Sequence, residues 1–172
     1  RRLSIIDLSD NGRQPMEVLD RFLITFNGEI YNYKELRKEL EVLGYSFQSN
    51  SDTEVLLCSY AQWGKDCLRK LNGMWAFAIW DKKEEELFIV RDRFGVKPLV
   101  YYHKGNDFAF ASELKALLKL PVERKLNPAA LQDYFFLEYI PDAKSILEDF
   151  YKLPKGHYLT VKKGVVSVKP YY

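Results

Sequence analysis

The stretch Arg21-Phe22-Leu23-Ile24-Thr25-Phe26-Asn27-Gly28-Glu29-Ile30-Tyr31-Asn32 constrains this chain more than any other. Phe22 to Phe26 is an aromatic and β-branched run, the composition of a buried strand. It stops at Asn27-Gly28, a pair that tolerates positive φ and lets the backbone turn sharply. Two readings of that corner stand open. Asn-Gly between apolar runs is the strongest short hairpin signal, and spacing alone favours it. The segment that follows has helical rather than alternating periodicity, which argues against a hairpin. In the second reading the Asn27 side-chain NH₂ and the Gly28 N–H stand together at the end of a rigid strand. Two such donors are what an oxyanion hole needs, and Gly28 has no Cβ to keep a ligand away.

The rest of the chain alternates strand pairs with helices. Arg2 to Leu8 reads as a strand, with a turn at Asp10-Asn11-Gly12. Asn32 and Glu35 form a capping-box pattern ahead of Tyr33, Leu36, Leu40 and Leu43, one face of a helix closed by Gly44. Tyr45 to Gln48 is a short strand candidate. Ser51 and Glu54 form a second capping box, and the helix behind it runs to Trp63 and ends at Gly64. A short helix is expected over Asp66 to Leu71. Met74 to Trp80 is almost wholly apolar, as in a strand covered on both faces. Lys82 to Glu86 is a solvated charged turn, and Leu87 to Val90 is the returning strand. The charged loop Arg91 to Pro98 leads to a hairpin of Leu99 to His103 and Phe108 to Ala111 across Gly105-Asn106. Ser112 caps a helix from Leu114 to Leu120. Asn127-Pro128 starts another that runs to about Tyr139. His157 to Val161 and Val165 to Lys169 close the chain as a hairpin. The order is that of an α+β fold.

At 172 residues the chain suits one domain. A chain of that length buries roughly 70% of the surface its unfolded form exposes. The formal net charge is +2, and no basic stripe interleaved with aromatics marks a nucleic-acid surface. No apolar run reaches membrane-spanning length, and no signal-peptide pattern opens the chain. The chain begins at Arg1-Arg2 without an initiator Met, as expected of a fragment or a processed product. Cys58 and Cys67 lack zinc spacing and are too few for a disulfide scaffold. Reduced thiols in a cytoplasmic protein are the simplest reading.

Chemistry-bearing groups are few. His103 and His157 fall in hairpin strands, away from any nucleophile setting, and Cys58 sits in a helix as a core residue. No Walker or GxGxxG loop is present, and metal ligands are not clustered. Three groups remain beside the corner. Arg2 flanks an apolar strand, where its guanidinium can hold a carboxylate; an exposed terminal charge is the plainer reading. Asp52 lies in the first turn of a helix, where complementing the dipole is the commoner role and pairing with an ammonium group the functional one. Glu29 follows the corner itself. An anion site, a cation site and an oxyanion corner together suit a free amino acid with a carbonyl in its side chain.

Six motifs carry a resemblance over essentially the whole chain. They are Arg1 to Asp7, Phe26 to Asn32, Ser51 to Val55, Leu71 to Ala78, Arg91 to Leu99 and Ala111 to Leu117. In register, they closely resemble the glutaminase domain of glutamine-hydrolysing asparagine synthetases, within the class II glutamine amidotransferases. The resemblance implies the N-terminal-nucleophile αββα four-layer sandwich, truncated here at its N-terminus. It implies that Asn27 and Gly28 form the oxyanion hole and that Arg2 binds the α-carboxylate of L-glutamine. It further implies that Asp52 and Glu29 bind the α-amino end, and that backbone near Leu3, Ile5 and Ile6 lines the pocket. The family nucleophile is a cysteine at the mature N-terminus, which neither Cys58 nor Cys67 matches. Residues 1–172 are therefore expected to be a partial domain, inactive by itself, of a cytoplasmic enzyme. The parent would carry a C-terminal synthetase domain using ATP and Mg to amidate aspartate or a related carboxylate, and could form a homodimer. The fragment itself is expected to hold no cofactor or metal. A glutaminase-like module that binds without catalysis is the alternative.

Overall fold

In the structure, a computed structural model that describes residues 12–172, the apolar run does not stop at Asn27. Phe22–Ile30 is one nine-residue strand, β2. It pairs antiparallel with β3, Gly73–Asp81, from Phe22↔Asp81 to Ile30↔Gly73. Both the hairpin and the sharp turn at Asn27-Gly28 are thus corrected. The glycine is needed for another reason. A Cβ on Gly28 would lie 2.2 Å from the Met74 carbonyl oxygen, and one on Gly73 would lie 2.1 Å from that of Glu29. Glycine on both strands lets the two backbones close together.

The remaining strands are β1 (Met16–Val18), β4 (Glu86–Arg91), β5 (Val100–Lys104), β6 (Asp107–Ala111), β7 (Phe150–Lys152), β8 (His157–Lys162) and β9 (Val165–Pro170). They form a six-stranded sheet in the order β1-β2-β3-β4-β8-β9 and a three-stranded sheet β6-β5-β7. Every pairing is antiparallel. The helices are α1 (Tyr33–Val42), α2 (Asp52–Trp63), α3 (Cys67–Lys70), α4 (Leu114–Leu117) and α5 (Pro128–Leu137).

Strand alternation sorts the core into layers. Trp75, Phe77 and Ile79 of β3, with Phe88 and Val90 of β4, pack against Leu36 and Leu40 of α1, Val55 to Tyr60 of α2 and Leu68 of α3. The intervening Ala76, Ala78 and Ile89 face the other way, onto Leu99, Tyr101, Leu153 and Leu159, with Phe108 and Phe110 at the margin. Tyr102, Leu117 and Phe150 make a third cluster beneath α4. The result is helix, sheet, sheet, helix, as expected, and the fully apolar Met74 to Trp80 run is explained by burial on both faces.

Several local expectations are corrected. The Asn32 side chain does not cap α1. It donates to the Lys70 carbonyl and accepts from the Asn72 N–H, pinning α1 to the start of β3. Ser51 does cap α2, accepting from Glu54 N. Glu54 completes no box but accepts from the N–H groups of Gln48 and Ser49 and from the Ser49 hydroxyl. Those bonds hold Tyr45 to Gln48 as a loop rather than a strand. Ser112 does not cap α4, whose N-cap is Glu113. α4 stops at Leu117 and α5 at Leu137, each short of the expected end. The expected Arg2 to Leu8 strand and the turn at Asp10-Asn11 lie outside the described residues.

Candidate active site

β1 is short, pairing only Met16↔Ile24 through Val18↔Phe22, so among the described residues no strand pairs with that edge of β2 from Thr25 onward. Backbone groups two residues apart on a strand point to the same edge. Phe26 N–H donates to the Gln14 side-chain oxygen at 2.8 Å, and Ile30 N–H donates to Asp52 Oδ2 at 3.0 Å. Gly28 N–H lies between them on the same open edge, directed away from the β3 ladder. The Trp75 carbonyl opposite is turned to the far side of β3, where it accepts from Asp92 N.

Asn27 and Glu29 alternate to the sheet face shared with Ala76, the face toward the second sheet. Asn27 is exposed there, and its Nδ2 reaches the Ser112 hydroxyl at 3.4 Å, just past the end of β6. The Asn27 side-chain amide therefore bridges from the large sheet to the segment that leaves the second one. By residue type and position Ser112 suits a helix cap, and no local spacing signals a contact across 85 residues.

Asp52 opens α2 and is almost fully buried, at 4% exposure. Burial pushes its carboxyl above the usual carboxylate range, and the nearby negative charge of Glu29 pushes it further. The N–H groups of Ile30 and of the α2 start oppose that rise. Two carboxyl groups thus stand beside the donor corner. The arrangement offers donors for a developing negative oxygen at Asn27-Gly28 and a cation site at Glu29 and Asp52. Side chains two apart on one strand face repeat at about 7 Å, a spacing that fits a short polar ligand with a carbonyl at one end and an ammonium group at the other.

Asn27, Gly28, Glu29 and Asp52 are therefore brought together, whereas the other four expected pocket residues, Arg2, Leu3, Ile5 and Ile6, lie outside the described residues. Cys58 and Cys67 are buried and unpaired with each other, and burial pushes both thiols up to about 12. Burial and a raised pKa both disfavour the reactive thiolate at either residue. His103 and His157 sit on β5 and β8, as expected. Among the described residues no group of His, Cys, Asp and Glu could hold a metal ion, and no helix is long and apolar enough to cross a membrane.

Comparison with known proteins shows the family and the fold. A family model described as a glutamine amidotransferase domain matches residues 1–172. Asparagine synthetase [glutamine-hydrolyzing] 1 of Bacillus subtilis is 42% identical over 174 residues, which cover 100% of this chain and 27% of that protein. Asparagine synthetase [glutamine-hydrolyzing] 3 of the same organism is 40% identical over 177 residues, covering 100% and 29%. This chain therefore spans less than a third of the length of these curated relatives. Among solved structures, glutamine phosphoribosylpyrophosphate amidotransferase from B. subtilis superposes with a TM-score of 0.66 at 21% identity, covering 95% of this chain and 33% of that one. That likeness shows a shared fold, the N-terminal-nucleophile sandwich.

Proposed function

The chain belongs to the glutamine amidotransferase domain family, and from that premise we propose that it forms the glutamine pocket of a cytoplasmic glutamine-hydrolysing asparagine synthetase. The observation that supports the reading is the grouping of the Asn27 amide and the Gly28 N–H, at a strand edge that no described strand covers, with the Asp52 carboxyl two residues along it.

L-Glutamine would lie along β2 with its side-chain carbonyl at Asn27 and Gly28 and its α-ammonium at Glu29 and Asp52. The family resemblance assigns the α-carboxylate to Arg2, with backbone near Leu3, Ile5 and Ile6 lining the pocket. A cysteine thiolate outside this sequence attacks the amide carbon. The carbonyl oxygen becomes negative, and the two donors stabilise it more than they stabilise the substrate, which lowers the barrier. The tetrahedral intermediate collapses, the nitrogen leaves as ammonia with an added proton, and a thioester remains. Water then adds to the thioester through a second oxyanion at the same donors, releasing glutamate and the thiol. In the parent, the ammonia would pass to a synthetase domain, where ATP with magnesium would supply the activation of the aspartate carboxylate for amide formation.

The test is isotopic. The full-length parent is given ATP, magnesium, aspartate and glutamine labelled with heavy nitrogen in the side-chain amide. Heavy nitrogen in the amide of asparagine is the expected result. Unlabelled asparagine, or glutamate with no amide product, would reject the reading.

A further inference from the structure

The loop that leads from the large sheet to the second one beside Asn27 is held by two side chains, Arg91 at the end of β4 and Asp92 just after it. Asp92, at 1% exposure, turns its carboxylate onto the loop's own backbone. Oδ1 accepts from the Phe94 and Val96 N–H groups at 3.0 Å each, and Oδ2 accepts from the Lys97 N–H at 2.9 Å. Arg91 takes the opposite set. Its guanidinium donates to the carbonyls of Gly95 at 3.0 Å and Lys97 at 2.9 Å. Gly95, at φ +70°, leaves room for it, since a Cβ there would stand 3.1 Å from the guanidinium carbon. Hydrogen bonds with one ionised partner are roughly twice as strong as neutral ones.

The same two residues tie the other connection at this end, from β7 to β8. Arg91 also donates to the Leu153 carbonyl at 2.8 Å, and the Asp92 carbonyl accepts from the Gly156 N–H at 2.9 Å. Chain length alone does not set the gap between the sheets here. Asp92 to Leu99 can span roughly 26 Å at about 3.3 Å per residue, whereas stacked sheets lie about 10 Å apart. The bonds made by Arg91 and Asp92 take up that slack.

These contacts close a ring around the candidate site. Asn27 pairs with Ala76, and Ala76 pairs with Arg91. The loop leads from Arg91 to Val100, Val100 pairs with Ala111, and Ser112 follows Ala111. The ring closes where Asn27 Nδ2 donates to the Ser112 hydroxyl at 3.4 Å. An amide NH₂ carries two protons. Ser112 engages one and leaves the other for a ligand's oxygen, so the placement of Ser112 decides where the second proton points.

We propose that Asp92, together with Arg91, is a positioning residue for the Asn27 amide, acting through the 92–99 loop and Ser112. The proposal rests on the glutaminase reading above, in which that amide stabilises the oxyanion. Asp92 touches no reacting atom; its carboxylate fixes the frame in which the donor is aimed.

The test compares Asp92→Asn, Ser112→Ala and the double variant in the full-length parent. Asparagine puts an NH₂ against loop N–H groups that a carboxylate oxygen now receives. Asp92→Asn is expected to lower kcat for glutamine hydrolysis about 2- to 10-fold, the worth of one net hydrogen bond. KM for glutamine and synthesis from free ammonia should stay unchanged. The double variant should run at the rate of Ser112→Ala alone, because both changes release the same amide. Losses that multiply, a rise in KM in place of the fall in kcat, or no loss would each overturn the proposal. Where Asp92→Asn misfolds and lowers both reactions together, Gly95→Ala, which presses a Cβ onto the Arg91 guanidinium, takes its place with the same outcomes. Hydrogen exchange read by mass spectrometry needs no activity, and exchange over 112–117 should quicken in Asp92→Asn. Unchanged exchange there would overturn the proposal. Quickened exchange in a parent that hydrolyses no glutamine would reject the glutaminase reading and leave the loop's hold on Ser112 standing.

Discussion

Asp52 Oδ2 accepts the Ile30 N–H at 3.0 Å, which ties the N-terminus of α2 to the open edge of β2 and fixes a buried carboxylate one residue past Glu29. An ammonium ligand pairs with the ionised form of Asp52 only. Burial first, and Glu29 second, raise its pKa above the ordinary carboxylate range. Under the proposed function, glutamine affinity should therefore be present above that raised value and lost as pH falls through it. The loss sets in at a higher pH than an exposed carboxylate would give. In the full-length parent, KM for glutamine should rise steeply on the acid side. Asp52→Asn should raise KM at neutral pH and flatten that limb, with ammonia-dependent synthesis preserved. An acid limb identical in the two proteins would remove Asp52 from ligand binding.

Asn27 should act on rate rather than affinity. Removing one oxyanion donor costs about 10²–10³ in kcat, so Asn27→Ala in the parent should lose that much glutaminase activity. Synthesis from free ammonia should be unchanged, because it bypasses the tetrahedral step. Ser112→Ala removes the hydroxyl that Nδ2 reaches at 3.4 Å. A smaller loss of about 2- to 10-fold is expected, the worth of one net hydrogen bond. Equal loss of the glutamine and ammonia reactions in Asn27→Ala would show a folding defect instead of a missing donor.

Gly28 has a structural duty beside the chemical one proposed for it. An added Cβ would meet the Met74 carbonyl oxygen at 2.2 Å and the Trp75 Cα at 2.8 Å, and both are backbone atoms of the central strand. The φ of +155° adds strain for any other residue. Gly28→Ala should destabilise the parent by about 1–3 kcal/mol or more, seen as a lower urea midpoint. Gly44→Ala is the comparison, since its φ is +94° but nothing lies within 4 Å of its added Cβ. A Gly28→Ala midpoint no lower than that of Gly44→Ala would mean that β2 and β3 can separate at little cost.

The sequence signalled most of the layers because their signals are local. Met74 to Trp80 lacks polar positions since Trp75, Phe77 and Ile79 face helices while Ala76 and Ala78 face the second sheet. Ser51 and Gly64 bracket α2 as their chemistry dictates. The failures occur where tertiary contacts outweigh local preference. Asn27-Gly28 is a turn signal, yet nine ladder pairs with β3 hold it extended. Asn32 and Ser112 are good caps by type, but each spends its side chain on a segment 38 or more residues away. β1 and β7, three residues each, carry too few positions to show a period. In the site, Asn27, Gly28, Glu29 and Asp52 stood out by residue type. Their convergence did not, because it depends on β1 ending early and on α2 starting beside Ile30.

The two thiols provide a test of which cysteine chemistry this domain can support. Cys58 on α2 is 3% exposed, Cys67 on α3 is fully buried, and burial drives each up to about 12. The thiolate is the reactive form, and with a pKa near 12 only about one molecule in 10⁴ carries it at pH 8. Iodoacetamide should leave both residues unmodified in the folded parent and react with both once the chain unfolds in urea, as read by intact mass. Cys58→Ala and Cys67→Ala should each cost about 1 kcal/mol of stability through lost packing and leave glutamine hydrolysis at the parental rate. Fast alkylation of Cys58 in the native protein, or loss of glutaminase activity in Cys58→Ala, would make that residue a nucleophile and displace the N-terminal thiol from the mechanism.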